Sequence, residues 1–261
     1  MKRVEKGRIT AAELIAENLV YLKINMPCIA GDALPGNFVS LLPPASSGKY
    51  LRRPFSIAGT GDESIELVIK NIGPVTSSLA QLEAGSTLDA LGPLGNSYSL
   101  KAGNIWMIGG GTGIASILFL NSSLADSRVR VMWAGKSRAA LPSPEIFNAP
   151  RFRHIFRSNI TLATDDGSAG EEGTAPQVLE RWIKAAAGSL PDAIVSCGPH
   201  GMMKAVKDIA DREGIPAWFS LEEFMACGAG ACAGCAVPAA GGGYLKACDD
   251  GPVFSGSRII L

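Results

Sequence analysis

Six cysteines stand in the 261-residue chain, and four of them share a pattern. Cys227, Cys232 and Cys235 follow a Cys-x4-Cys-x2-Cys spacing, and twelve further residues precede Cys248. This is the plant-type ligand spacing of a [2Fe-2S] cluster, a centre that passes electrons one at a time. Gly228, Gly230 and Gly234, interleaved with Ala226, Ala229, Ala231, Ala233 and Ala236, let the backbone curl round one point and bring N–H groups close to the sulfurs. Two rival readings stay open. A structural zinc site usually pairs two short Cys-x2–4-Cys knuckles, whereas here three thiols crowd one loop and the fourth lies downstream. A disulfide framework belongs to exported chains, and the opening Met1-Lys-Arg-Val-Glu-Lys6 alternates charge without an apolar signal core. The cluster fits the spacing better than either. Cys28 and Cys197 lie outside the group, and Cys28 is expected to be a small buried hydrophobe.

A second set of residues has nucleotide-binding chemistry. Gly109-Gly-Gly-Thr-Gly113 follows the apolar run Ile105-Trp-Met-Ile108 and opens a helical segment. There, glycines permit a tight turn, and the helix start offers free N–H groups and a positive dipole end to a pyrophosphate. Ser116 stands where the Gly-x-Gly-x-x-Gly fingerprint has its last glycine, so a structural strand–helix turn competes. Cys197-Gly-Pro199 ends a predicted central strand, the place where open α/β sheets bind ligands; Cys197 is either packing or a neighbour of a nicotinamide. In Arg52-Arg-Pro-Phe-Ser-Ile57 an arginine can grip a diphosphate, an aromatic can lie against a flat ring and a serine can donate. A proline-bearing edge strand explains that run equally. Lys70-Asn-Ile-Gly-Pro-Val-Thr76 and Gly92-Pro-Leu-Gly-Asn96 also read as ordinary turns.

The elements that must position these residues change along the chain. Up to about residue 98, β-forming runs such as Val20–Ile24, Phe38–Leu42 and Ile65–Ile69 are separated by turns at Leu34–Asn37 and Gly59–Asp62, the pattern of a small antiparallel barrel. From about 102 to 218, strands over Ile105–Ile108, Val129–Trp133, Ile160–Ala163 and Ala193–Ser196 alternate with helices over Ile114–Leu124, Ala175–Ala187 and Met202–Glu213. That alternation implies a parallel, doubly wound sheet. The expected domains are 1–98, 99–218 and a cysteine module at 219–261.

Composition removes other functions. Twenty-four basic residues balance 24 acidic ones, which argues against a nucleic-acid or polyanion binder. The longest apolar stretch, Ile105–Leu120, is broken by four glycines and reads as strand–loop–helix, not a membrane span. With only His154 and His200 present, a histidine-based triad is not expected. Six cysteines without an export signal suit a reducing cytoplasm.

The order of Arg53-Pro-Phe-Ser56, Gly92–Asn96, Gly109–Gly113 and Cys197–Pro199 resembles the ferredoxin–NADP reductase superfamily. Thr164-Asp-Asp-Gly-Ser168, Ser220–Cys235 and Cys248–Phe254 narrow this: nearly the whole chain resembles the electron-transfer subunits of class 1B dihydroorotate dehydrogenases. The resemblance implies a β-barrel flavin domain, an α/β doubly wound nucleotide-binding domain and a small C-terminal [2Fe-2S] module. It implies that Arg53, Pro54, Phe55 and Ser56 hold FAD, with Phe55 where a tyrosine is common. Val68, Ile69 and Lys70 fall on a second FAD stretch that usually reads aromatic-Arg, so a bidentate phosphate contact is lost there. Val75 and Thr76 fall on a Gly-Thr pair. Gly109, Gly110, Gly111, Thr112, Gly113, Cys197, Gly198 and Pro199 would frame the site of NAD(H), the substrate. Cys227, Cys232, Cys235 and Cys248 would ligate the cluster, and no side chain need act as acid or base. The resemblance further implies a cytoplasmic subunit of pyrimidine biosynthesis, in a heterotetramer of two copies each with an FMN-containing catalytic partner. An NAD(P)H–ferredoxin reductase or sulfhydrogenase-type subunit is the first alternative, and a non-enzymatic redox-sensing or zinc-binding module the second. NAD is favoured over NADP by the resemblance alone, since Gly135–Arg138, with Lys136 and Arg138, is either a plain loop or a 2′-phosphate site. Val253 and Phe254 suit a partner interface or core packing equally.

Overall fold

A computed structural model describes residues 2–100, 103–124, 128–157 and 159–261. The first sheet is a closed antiparallel barrel, in spatial order β1 (Arg3–Ala16), β2 (Leu19–Asn25), β5 (Ser64–Lys70), β4 (Arg53–Gly61), β3 (Phe38–Leu41) and β6 (Thr87–Leu94). Strand β1 closes it alone: Arg3–Arg8 pairs with β6, and Arg8–Ala16 pairs with β2. Two short helices, α1 (Pro27–Asp32) and α2 (Pro74–Ala80), fill connections. Strands β2 and β5 are buried on both faces. Leu22, Ile24, Ile65, Leu67 and Ile69 point into the barrel, while Tyr21 and Val68 pack outwards against the next layer. Two-sided burial explains why these segments read as near-continuous apolar runs rather than alternating ones.

The second sheet has the order β10-β9-β8-β7-β11-β12-β15. Its parallel strands are β7 (Asn104–Gly110), β8 (Arg128–Gly135), β9 (Ile160–Thr164), β10 (Glu171–Glu172), β11 (Ala193–Cys197) and β12 (Ala217–Ser220). Helices α3 (Ile114–Ser123), α4 (Pro144–Asn148), α5 (Ala175–Ala185) and α6 (His200–Arg212) link them. Helix α3 lies between sheet and barrel, and Ile114 to Asn121 are all buried; a helix covered all round needs no polar face. Helix α5 covers the other side, burying Val178, Leu179 and Trp182, the stripe its sequence predicts.

The chain then leaves the sheet, forms the cysteine loop and the hairpin β13 (Ala236–Pro238) and β14 (Tyr244–Lys246), and returns as β15 (Val253–Ser255), antiparallel to β12. The expected division after residue 218 thus falls inside β12. The cysteine segment is an excursion from the nucleotide sheet. Among the described residues no helix is long and apolar enough to cross a membrane.

Two expectations are corrected, and one open choice is decided. The turn placed at Gly59–Asp62 is strand: β4 runs through Gly61, and the chain reverses at Asp62–Glu63, both at positive φ. Gly59 leaves room for the buried Glu66 carboxylate, which a Cβ there would meet at 2.7 Å. Cys28 is exposed, because it sits in the first turn of α1 with its N–H on Glu5, and Ile29 takes the inward position. Val253 and Phe254 are 4% and 1% exposed, so they are core and not a partner surface.

Candidate functional site

Strand β7 starts the second domain in mid-sheet. The chain winds outwards from it through β8, β9 and β10, then returns to β11 on its other side. The gap beyond the ends of β7 and β11 is therefore a topological switch point, where open sheets form a ligand crevice. A cleft of about 320 Å³ lies there. Gly110, Gly111, Thr112, Gly198, Pro199 and His200 line it from the sheet, Lys70 from the barrel, and Val237 and Pro238 from the hairpin, with Leu221, Glu222 and Glu223 between. All three parts of the chain thus meet at one opening. Gly113 keeps the loop closed: a Cβ would stand 2.4 Å from the Cys197 carbonyl group. Trp133 Nε1 donates to the Gly111 carbonyl at 3.0 Å and steadies the turn from β8.

The residues read as a nucleotide frame divide. Gly198 and Pro199 face the cleft, whereas Cys197 is fully buried beneath it. Its thiol shares a hydrogen bond with Ser220, and burial pushes it well above the ordinary thiol range. Ser220 continues a hydroxyl chain: Ser116 Oγ donates to Ser220 Oγ at 3.2 Å, and Tyr98 Oη lies 2.8 Å from Ser116 Oγ. Burial raises the Tyr98 phenol too. Ser116, which spoils the glycine fingerprint, thus has a use as a buried link on α3 between the loop after β6 and the end of β12. At the rim, Glu222 keeps solvent contact, but protein atoms crowd it densely enough to raise its carboxyl.

On the barrel wall, Arg53, Pro54, Phe55 and Ser56 are all partly exposed at the start of β4. The two arginines differ. Arg52 is consumed by structure: it donates to the Ser40 and Asp89 carbonyls at 3.1 Å and pairs with the Asp89 carboxylate at 2.5 Å. Arg53 donates to the carbonyls of Leu51 and Arg52 and pairs with no carboxylate among the described residues, so its guanidinium suits a phosphate. Among the second flavin set, Val68 and Ile69 are buried and Lys70 is exposed on the cleft. Val75 is buried in α2, and Thr76 Oγ1 accepts the N–H groups of Ile72 and Gly73 at 2.9 and 3.0 Å. Thr76 thereby shapes that loop, while Val75 offers only packing.

The cysteine loop fits a two-iron group. The thiols fall into neighbouring pairs, Cys227 with Cys232 and Cys235 with Cys248. Backbone N–H groups of Ala229 and Cys232 donate to Cys227 Sγ at 3.5 and 3.4 Å, that of Gly230 to Cys248 Sγ at 3.2 Å, and that of Cys248 to Cys235 Sγ at 3.4 Å. Amides aimed at sulfur are the second shell that iron–sulfur thiolates need. The Ala229 and Cys232 amides lower the Cys227 thiol to about 6, whereas burial and the neighbouring Cys235 push Cys248 up to about 12. The β13–β14 hairpin, turning through Gly242 and Gly243 at positive φ, carries Cys248 back to the loop. Among the described residues no three His, Cys, Asp or Glu close on a single ion position; a pairwise array suits two irons, each held by two thiolates.

Sequence reasoning passed over two anchors. Asn96 ties the barrel's last loop to this segment, donating to the carbonyls of Asp250 and Val253 and accepting the Val253 N–H, all within 3.0 Å. Its Gly-Pro-Leu-Gly-Asn setting marked a turn without revealing its distant partner. Lys246 is the other, and its only signal was proximity to Cys248.

Comparison with known proteins agrees with this construction. A solved structure described as an NADH-dependent reduced ferredoxin-NADP oxidoreductase superposes with a TM-score of 0.82 at 28% identity, covering 97% of this chain and 89% of that one. A ferredoxin NADP+ reductase from Neisseria gonorrhoeae, solved with FAD and NADP, shares the fold at a TM-score of 0.63 and 20% identity, over 81% and 92% of the two chains. Barrel, doubly wound sheet and intervening cleft define an oxidoreductase of the ferredoxin–NADP reductase fold, extended by an iron–sulfur module. Residues 222–260 match the family model described as the iron-sulfur cluster binding domain of dihydroorotate dehydrogenase B. Relatives named dihydroorotate dehydrogenase B (NAD(+)), electron transfer subunit, are 31% identical in Desulforamulus reducens, over 100% of this chain and 99% of that one. The corresponding protein of Bacillus caldolyticus is 33% identical over 98% of each. The chain belongs to this family of electron transfer subunits.

Proposed function

We infer that the chain carries electrons between NAD(H) and the dihydroorotate-oxidising, FMN-containing subunit of its complex, through FAD and a [2Fe-2S] cluster. The observation that carries this reading is the shared cleft: barrel, nucleotide sheet and cysteine hairpin each contribute a wall. Bound FAD supplies the exchange between a two-electron hydride and single electrons, and the cluster supplies one-electron transfer onwards.

The chain's own residues hold and orient. Arg53 takes a flavin phosphate, Pro54, Phe55 and Ser56 line the flavin along β4, and Lys70 adds a single positive charge at the cleft. Val68, Ile69, Val75 and Thr76 shape the adjoining loop and strand. Gly109 to Gly113, with Gly198 and Pro199, let a dinucleotide lie close to backbone N–H groups at the sheet's end. Cys197 keeps its thiol neutral underneath. Cys227, Cys232, Cys235 and Cys248 ligate the iron. No side chain is needed as a base towards dihydroorotate, because that chemistry belongs to the partner. We assign the complex to cytoplasmic pyrimidine biosynthesis, as two copies of each subunit.

The test is anaerobic reconstitution of the purified chain with FAD, iron and sulfide. The loaded chain should reduce a dye with NADH, more readily than with NADPH, and should leave dihydroorotate untouched until the FMN subunit is added. Dihydroorotate turnover by the chain alone, or a colourless protein after reconstitution, would overturn the reading. The close superposition on the NADH-dependent ferredoxin-NADP oxidoreductase favours a second acceptor, a small one-electron iron–sulfur protein. Rapid ferredoxin reduction with no response to the FMN subunit would select it.

A further inference from the structure

A charged brace stands behind the cysteine loop. Lys246, the last residue of β14, donates from Nζ to the Gly230 carbonyl at 3.0 Å and to the Asp249 carboxylate at 3.0 Å. Asp249 also accepts Lys2 Nζ at 3.1 Å, from the residue before β1. Gly230 has φ +90°, and a Cβ on it would lie 2.7 Å from Asp249 Oδ2, so the carboxylate rests directly on this backbone. The Gly230 carbonyl therefore has an ammonium on its oxygen, while the N–H of the same residue donates to Cys248 Sγ at 3.2 Å. Pinning the Gly230 carbonyl holds that residue's backbone in place and keeps its N–H aligned on the sulfur, and hydrogen bonds weaken steeply with misalignment. Stronger N–H···S bonds favour the more negative, reduced state of an iron–sulfur centre.

We propose that Lys246 is a positioning residue for the cluster: by fixing Gly230, whose N–H donates to Cys248 Sγ, it holds the cluster's reduction potential up. The inference rests on the cluster reading above. A pure charge effect would make loss of Lys2 and loss of Lys246 equivalent, because both ammonium groups rest on Asp249. The contact with one particular carbonyl is what distinguishes Lys246 from Lys2.

The test is a redox titration of the reconstituted full chain, followed by the electron paramagnetic resonance signal of the reduced cluster. Lys246→Met should cut the reduced-to-oxidised ratio at a fixed potential about tenfold, a downward shift of about 59 mV for one electron. Lys246→Arg should restore most of it, and Lys2→Met should leave it in place. A fully loaded Lys246→Met protein with an unchanged midpoint would overturn the proposal, as would an equal shift from Lys2→Met. Should Lys246→Met retain no iron, Asp249→Asn decides: it frees Lys246 from its counter-ion without removing the Gly230 contact, so the midpoint should rise, and a fixed or lower value counts against the proposal. If the parent chain itself gives no [2Fe-2S] spectrum, the cluster reading fails, and the inference with it.

Discussion

The glycine-lined cleft and the cysteine loop are built on opposite principles. The cleft sits on the ends of β7 and β11, which are buried along almost their whole length and paired on both sides. Its loops are held by contacts already complete, such as Trp133 on Gly111 and the tight approach of Gly113 to Cys197. The cysteine loop has no regular structure between Leu221 and Cys235. Cys232 is exposed, Phe224 is 94% exposed, and the internal hydrogen bonds run mainly to sulfur. A nucleotide therefore meets a site the fold has already formed, whereas the iron is itself a large part of what forms its own site. The two regions should respond differently to damage.

The sharpest way to break the comparison is at Cys248. Cys248→Ser should abolish cluster absorbance, with a loss of iron affinity beyond the roughly 10- to 100-fold typical of outer-shell changes, while FAD and NADH–dye reduction persist. Simultaneous loss of FAD, read from flavin absorbance, would show that the loop supports the barrel more than its sparse contacts indicate. Gly113→Ala attacks the preformed side. Forcing a methyl against the Cys197 backbone should cost about 2–3 kcal/mol, or roughly 4–12 °C in Tm, measurable by calorimetry on the apoprotein. The cluster spectrum should survive at lower temperature. An unchanged Tm would mean that the strand ends yield more easily than their burial indicates.

The same contrast governs what could be read from the chain. The four cysteines were legible because ligand spacing is local, and the alternation of β7 to α6 was legible because each element has its own periodicity. Strand β1 was obscured: Arg3, Glu5, Lys6 and Arg8 give its first half a charged look, although β6 and β2 pair with it in turn. The short strands β13 to β15 carry too few residues for a pattern. The hydroxyl chain of Tyr98, Ser116 and Ser220 joins residues up to 122 positions apart in sequence, so only the fold brings it together. In Arg52-Arg53, the motif alone could not tell which guanidinium is spent on Asp89.

That last distinction makes a graded test. Arg53→Ala should weaken FAD by about 1.5–3 kcal/mol, the worth of a hydrogen bond to a charged group, which is roughly 10- to 150-fold in Kd. Arg52→Ala should instead lower Tm and alter FAD binding only through the barrel. The two predictions separate by calorimetry and flavin titration, and equal effects on FAD would refute the division of labour.

The smallest effect is expected at Glu222, on the rim where cleft and loop meet. Crowding raises its carboxyl above the ordinary range, so the folded chain binds this proton more tightly than the unfolded one. By linkage, the contribution is intact below the unfolded pKa and is lost as pH rises through the folded value. Glu222→Gln removes the ionisation, so it should match the parent in acid and become the more stable protein as pH climbs out of the carboxylate range, then stay ahead by a constant margin. Because the side chain still touches solvent, the margin should be only about 0.5 kcal/mol, the scale of a surface substitution. Denaturant titrations of both proteins across that range measure it. A margin that grows towards acid would show that Glu222 is held as a stabilised carboxylate, and that the rim carries a positive charge of its own.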